Sequence, residues 1–129
     1  MTQRPATYRL GDLQLRIMKV LWRTGRAAVA DVHEALVGEP LAYTTVATML
    51  RKMEDRGLVR HGSQGRRFIY EPAVTADEVT RSMSHDLIDR LFEGSLAETV
   101  SHLLQTREVS RDELKQLEQL IAKRKGRRK

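Results

Sequence analysis

The chain has 129 residues, no cysteine and a formal net charge of +6. That length accommodates one domain or two small ones, and the missing thiols exclude disulfides, thiolate metal sites and thiol chemistry. Charge is unevenly laid out: residues 1–72 carry +5, residues 73–122 carry −5 and residues 123–129 carry +6, which suits one half to a polyanion and the other to a different partner.

The chain opens on MTQRPATYRLGDLQ, which lacks the apolar run of a signal peptide. No later stretch reaches the roughly 18 apolar residues of a membrane span. A cytoplasmic protein without membrane insertion is expected. From Leu10 to Thr24, the residues Leu13, Ile17, Val20 and Leu21 form one apolar stripe, flanked by Met18 and Trp22. Gly11 or Asp12 caps this first helix and Gly25 ends it. From Ala28 to Val37, a second helix carries Val29, Val32 and Leu36 on one face, and Gly38 and Pro40 stop it.

The stretch Ala42 to Gly57, AYTTVATMLRKMEDRG, predicts a third helix with two unlike faces. Val46, Leu50 and Met53, with Met49 beside them, follow the spacing of a buried face. Thr44, Thr45, Thr48, Arg51 and Lys52 share the opposite one. Small hydroxyls at the leading end and cations on later turns suit a helix pushed end-first into a major groove, where they can meet base edges or phosphates. A short helix, a loop and this helix make a helix-turn-helix whose last member reads. After Gly57 the period becomes alternating: Val59 and His61 lead to the turn Gly62-Ser63-Gln64-Gly65, and Arg67, Phe68, Ile69 and Tyr70 run to Pro72. This β-hairpin displays Arg60, Gln64, Arg66 and Arg67, as a phosphate-contacting wing would.

Beyond Pro72 three segments each open with a capping box: Thr75 with Glu78, Ser95 with Glu98, and Ser110 with Glu113. Val74 with Val79 and Val109 with Leu114 add hydrophobic staples. The first helix, to about Phe92, sets Val79, Met83, Leu87 and Leu91 four apart, with Ile88 and Phe92 widening the stripe. The second holds Leu96, Val100, Leu103 and Leu104, and the third Leu114, Leu117, Leu120 and Ile121. Such short helices enclose little core alone. Pooling their stripes with a second copy predicts a dimerisation surface built from Met83, Leu87, Leu91, Leu96, Val100, Leu103, Leu104, Leu117, Leu120 and Ile121; folding back onto the winged-helix half of a monomer is the alternative. The expected fold is mainly α with a small β-hairpin wing: an N-terminal winged helix-turn-helix over residues 1–72, a three-helix C-terminal dimerisation module over 73–122 and a basic tail over 123–129.

The runs LGDLQLRIMKVLW, VADVHEAL, LAYTTVATMLRKMEDRGLVRH, GRRFIYEP and LFEGSLAETVSHLLQ resemble the penicillinase and methicillin-resistance repressors of the BlaI/MecI type, from Leu10 to about Ile121. The resemblance implies a winged-helix homodimer that binds a palindromic double-stranded DNA operator and represses β-lactamase or related antibiotic-resistance genes. It carries DNA contact onto Thr44, Thr45, Thr48 and Lys52, with Arg51 alongside, and onto the wing at Arg66 and Arg67, with Arg60 on the same hairpin. It also implies inactivation by a membrane sensor protease, at a bond that falls here between His102 and Leu103. The staphylococcal pattern has asparagine and phenylalanine at that bond. The copper-responsive relatives use a C-terminal cysteine cluster, which this chain lacks.

No nucleophile elbow, Gly-rich phosphate loop or HExxH motif occurs, so no catalytic residue, cofactor or metal is expected. His33, His61, His85 and His102 are scattered without metal-ligand spacing. The tail KRKGRRK is either an arm on the DNA backbone or a solvated end that complements the last helix's dipole. Two other functions fit the same elements: a winged-helix module that binds a protein, and a regulator that holds a small ligand between its halves.

Overall fold

The computed structural model describes residues 8–127 except 37 and 39. Among these residues six helices and three short strands follow one another: α1 (Asp12–Thr24), β1 (Ala27–Ala28), α2 (Val29–Ala35), α3 (Tyr43–Asp55), β2 (Val59–Gln64), β3 (Arg67–Pro72), α4 (Ala76–Phe92), α5 (Leu96–Thr106) and α6 (Arg111–Arg127). The fold is the expected one, mainly helical with a small antiparallel sheet.

Local sequence explains most element ends. At α1 the Gly11 amide donates to Gln14 Oε1 (3.1 Å), and at α2 the Ala28 amide donates to Asp31 Oδ2 (3.1 Å); each side chain satisfies a donor that the helix start leaves open. Gly25, at φ +87°, lets the chain leave α1 in a conformation costly for any residue with a Cβ. The expected end of α2 at Val37 falls outside the described residues. In the second half, the amides of Glu78, Glu98 and Glu113 donate to Thr75 Oγ1, Ser95 Oγ and Ser110 Oγ, each at 3.0 Å. At Thr75 the box is closed from both sides, because the Thr75 amide donates to Glu78 Oε1 at 2.8 Å.

The strands depart from the sequence reading in two ways. Ala27 and Ala28, expected as linker and helix start, form a strand that pairs antiparallel with β3, Ala27 opposite Tyr70 and Ala28 opposite Ile69. The sheet therefore has three strands in the order β1-β3-β2. Two alanines offer no periodicity and little strand preference; pairing with a distant segment decides their state. The hairpin turn is also tighter than expected. Gly62 pairs with Ile69 and Gln64 with Arg67, leaving Gly65 and Arg66 as a two-residue loop. Gly65 has φ +63° and Arg66 stays at negative φ, the glycine-first pattern of a type II′ turn, whose twist suits the flanking strands.

The chain divides into two compact units, Met1–Asp86 and Leu87–Lys129. In the first unit Ile17, Met18, Leu21, Val32, Val46, Leu50 and Met53 are fully buried among α1, α2 and α3, with Val59 and Tyr70 from the sheet. Val74 and Val79, the staple at the start of α4, join that core, and Met83 packs against it. The first unit thus extends past Pro72 to take in the first half of α4. The indole of Trp22 donates to the Val74 carbonyl (2.9 Å), a further tie across 52 residues.

In the second unit the helix starts are well made but the apolar stripes are open. Leu87, Leu91, Leu96, Leu103, Leu104, Leu114, Leu120 and Ile121 are all exposed, Leu91 by 68%. Helix α6 does not stop at Ala122 but runs through Arg127, so the first five residues of the basic tail are helical. Among the described residues no helix is long and apolar enough to cross a membrane.

Candidate nucleic-acid interface

Helix α3 separates its faces as the spacing predicts. Val46, Leu50 and Met53 have no exposed surface, while Thr44, Thr45, Thr48, Arg51 and Lys52 are all exposed. At about 100° per residue these five fall within one sector opposite the buried stripe. Burial of one face against α1 and α2 fixes the rotation of the helix and so fixes which side chains face outward.

The threonines are distinctive in what they do not bond. A helical hydroxyl readily turns back to the carbonyl four residues earlier. Thr24, Ser84, Thr99 and Thr106 do so, to Val20, Thr80, Ser95 and His102, at 2.6–2.9 Å. Among the described residues, Thr44, Thr45 and Thr48 make no such bond, so their hydroxyls are open to a ligand. The Lys52 side chain likewise has no hydrogen bond or ion pair among the described residues.

The wing carries its cations differently. Arg66 sits on the two-residue turn, exposed and unpaired among the described residues. Arg60 donates from Nε to Glu71 Oε2 at 2.8 Å, and Arg67 Nη2 lies 3.6 Å from Asp31 Oδ2. Arg60 and Arg67 must therefore leave or share a carboxylate to bind phosphate, whereas Arg66 need not. These pairs are largely exposed, where an ion pair contributes ~1 kcal/mol or less, so exchange for a phosphate is feasible.

A clamp that sequence reading missed joins α3 to the wing. With its Nδ1 protonated, the His61 ring donates to Glu54, whose two carboxylate oxygens lie 2.8 and 2.9 Å away. The His61 amide donates to the same carboxylate at 3.3 Å. The ring also stacks on Phe68, centroids 4.3 Å apart at 26°. Tyr70 lies beneath, 5.5 Å from His61. Its burial, and secondarily the negative charge of Glu54, push its phenol above the usual value against a smaller opposing effect of Arg51. Glu54 thus couples the cationic end of α3 to strand β2. Only the alternation that puts His61, Phe68 and Tyr70 on neighbouring strands could have signalled it.

Tyr43 is a second residue that sequence reading missed. It is the first residue of α3, 50% exposed, and meets the His33 ring edge-on at 6.0 Å. His33 is itself held by a 2.6 Å hydrogen bond between Nε2 and the Leu41 carbonyl. A supported, exposed aromatic at the leading end of α3 widens the surface formed by the threonines.

The residues predicted for dimerisation are placed unequally. Leu87, Leu91, Leu96, Leu103, Leu104, Leu120 and Ile121 are exposed, Val100 and Leu117 are half-buried, and Met83 is already engaged by the first unit's core. His102 and Leu103 are exposed on α5, and the His102 ring lies 5.7 Å from Phe92.

Comparison with known proteins bears on these surfaces. Residues 10–123 match the family model described as the penicillinase repressor. The chain is 27% identical over 121 residues to the penicillinase repressor of Bacillus licheniformis, covering 93% of this chain and 94% of that protein. It is 34% identical over 117 residues to the transcriptional regulator BlaI of Mycobacterium tuberculosis, covering 88% and 83%. In fold it is similar to a mutant of MarR from E. coli, with a TM-score of 0.52, 15% identity, and coverage of 88% of this chain and 76% of that one.

Proposed function

The chain belongs to the penicillinase repressor family, and on that premise we propose that it is a DNA-binding transcriptional repressor which holds a palindromic operator as a homodimer. The observation that carries the reading is the outer face of α3: three threonine hydroxyls without a partner among the described residues and two exposed cations, on a helix whose rotation is fixed by its buried side. Thr44, Thr45 and Thr48 meet base edges or nearby phosphates, and Arg51 and Lys52 reach guanine or the backbone. Arg66 contacts phosphate at the wing, joined by Arg60 and Arg67 once they exchange their carboxylates. Repression is steric, because a duplex occupied in successive major grooves excludes polymerase. The proposal places the protein in the cytoplasm with the DNA, and assigns it no catalysis.

The second unit supports the dimer. Its eight exposed large apolar side chains form more surface than isolated exposed residues explain, and a second copy covers it with matching chemistry. Two reading heads then meet two half-sites about one helical turn, or a small multiple, apart. Relief by a membrane sensor protease, as the family resemblance suggests, falls on the His102–Leu103 bond. Both residues are exposed, but the bond lies inside α5, so cleavage requires that helix to unwind locally.

The test is selection of bound sequences from random duplex DNA by the purified protein at fixed moderate salt. A two-fold symmetric motif is expected. Binding that fades with salt and enriches no sequence would overturn the assignment and favour a winged-helix protein-binding module.

A further inference from the structure

We propose that the C-terminal end of α6 is a second DNA-binding element that takes the phosphate backbone without regard to sequence. The inference rests on the repressor reading and extends it to a part of the chain outside the winged helix.

After Glu118 no acidic residue occurs, and Lys123, Arg124, Lys125, Arg127, Arg128 and Lys129 fill six of the last seven positions. The rest of the second unit has the opposite balance, with four cations against seven acids over residues 87–118. A charge division this sharp within one small unit leaves the basic end without local counter-charge. Among the described residues, Lys123, Arg124, Lys125 and Arg127 make no ion pair, and all four are exposed.

The helix arranges these cations against each other. Because α6 continues through Arg127, Arg124 and Arg127 are three residues apart and Lys123 and Arg127 four apart, spacings at which like charges on a helix repel. The dipole at the helix C-terminus offsets only part of this, and Gly126 within the helix weakens it further. A polyanion removes the repulsion altogether. The helix also gathers these cations: at about 100° per residue Lys123, Arg124 and Arg127 fall within roughly 100° of one another, one cationic face that can lie along a phosphate backbone, with Lys125 on the other side. Attachment to a chain already bound through α3 raises the local phosphate concentration that the tail meets, so weak contacts become effective. An anionic membrane is a poorer fit, since the exposed Leu120 and Ile121 that an interfacial helix would bury belong to the surface assigned to the second copy.

The experiment compares the full chain with a variant in which all six cations are changed to glutamine, which keeps the helix preference of α6. Binding to the selected operator duplex and to a random-sequence duplex is measured between roughly 50 and 300 mM salt, a range over which counterion release dominates. Helix content by circular dichroism and Trp22 fluorescence check that both proteins are folded. The plot of log affinity against log salt should flatten by about 3 to 5 for each bound chain, near 0.9 for each phosphate that the variant no longer neutralises. Operator and random duplex should lose the same factor, leaving their ratio unchanged. Unchanged slopes, or loss on the operator alone, would overturn the proposal while a selective wild-type protein kept the repressor reading intact. Binding of the wild type to phosphatidylglycerol vesicles with unchanged DNA slopes would assign the tail to a membrane instead. A wild type without salt-sensitive DNA binding would fail the repressor reading itself.

Discussion

Leu91→Ala tests the dimer with two readouts that must move apart. Leu91 is 68% exposed, so it contributes little to the folding of one chain, and its loss should alter monomer stability by no more than ~1 kcal/mol. In a symmetric interface it counts twice. Removing three carbons costs ~0.8 kcal/mol each when they are fully buried, hence ~2.4 kcal/mol. About two thirds of that surface remains to be covered by a partner, giving ~1.6 kcal/mol per copy and ~3 kcal/mol per dimer. The dimer dissociation constant should therefore rise on the order of 100-fold. Sedimentation equilibrium measures that constant, and urea unfolding at concentrations below it measures the single chain. Operator affinity at low protein concentration should fall with dimerisation, while the salt slope per bound chain stays constant. An unchanged association constant would mean that the exposure of Leu91 does not mark an interface, and a clearly destabilised monomer would mean that Leu91 packs within its own chain.

Three further outcomes are expected. Lys52→Ala and Arg51→Ala should each weaken operator binding by roughly 1–3 kcal/mol and relax preference at one base pair; an equal loss on every duplex would assign that side chain to phosphate. Leu50→Ala should cost roughly 2–5 kcal/mol in chemical unfolding, because a fully buried side chain leaves a cavity behind, and a cost near zero would contradict the packing of α3. Tyr70 is held protonated in the folded chain beyond its usual range, chiefly by burial, so its contribution to stability is complete below about pH 10 and is lost as pH rises through the raised folded value. Stability of the wild type should thus fall more steeply in alkali than that of Tyr70→Phe, and equal slopes would show that the phenol does not resist ionisation.

Much of this protein is written in short-range signals. The capping residues Thr75, Ser95 and Ser110 act on amides three residues away, so helix starts are legible without any knowledge of the fold. The two faces of α3 follow from the same locality, since Val46, Leu50 and Met53 define the buried side and leave Thr44, Thr45, Thr48, Arg51 and Lys52 outward. Charge alone marks the basic end, though not the continuation of α6 into it, because Gly126 within the run lowers a helix preference that its lysines and arginines otherwise raise.

What only the tertiary structure decided lies between residues far apart in the chain. Ala27 and Ala28 become a strand because β3, some forty residues on, presents Tyr70 and Ile69 to them. The first half of α4 joins the winged-helix unit because Val74 and Val79 find space in its core and Trp22 reaches the Val74 carbonyl across 52 residues. The Glu54–His61 clamp needs a carboxylate on a helix and an imidazole on a strand to meet, and the two-residue turn that sets the strand register is fixed by the whole hairpin. Periodicity and capping report the energetics of one or two helical turns. Contacts of long sequence separation are settled by which surfaces exclude water together, and no window of sequence contains both sides of them.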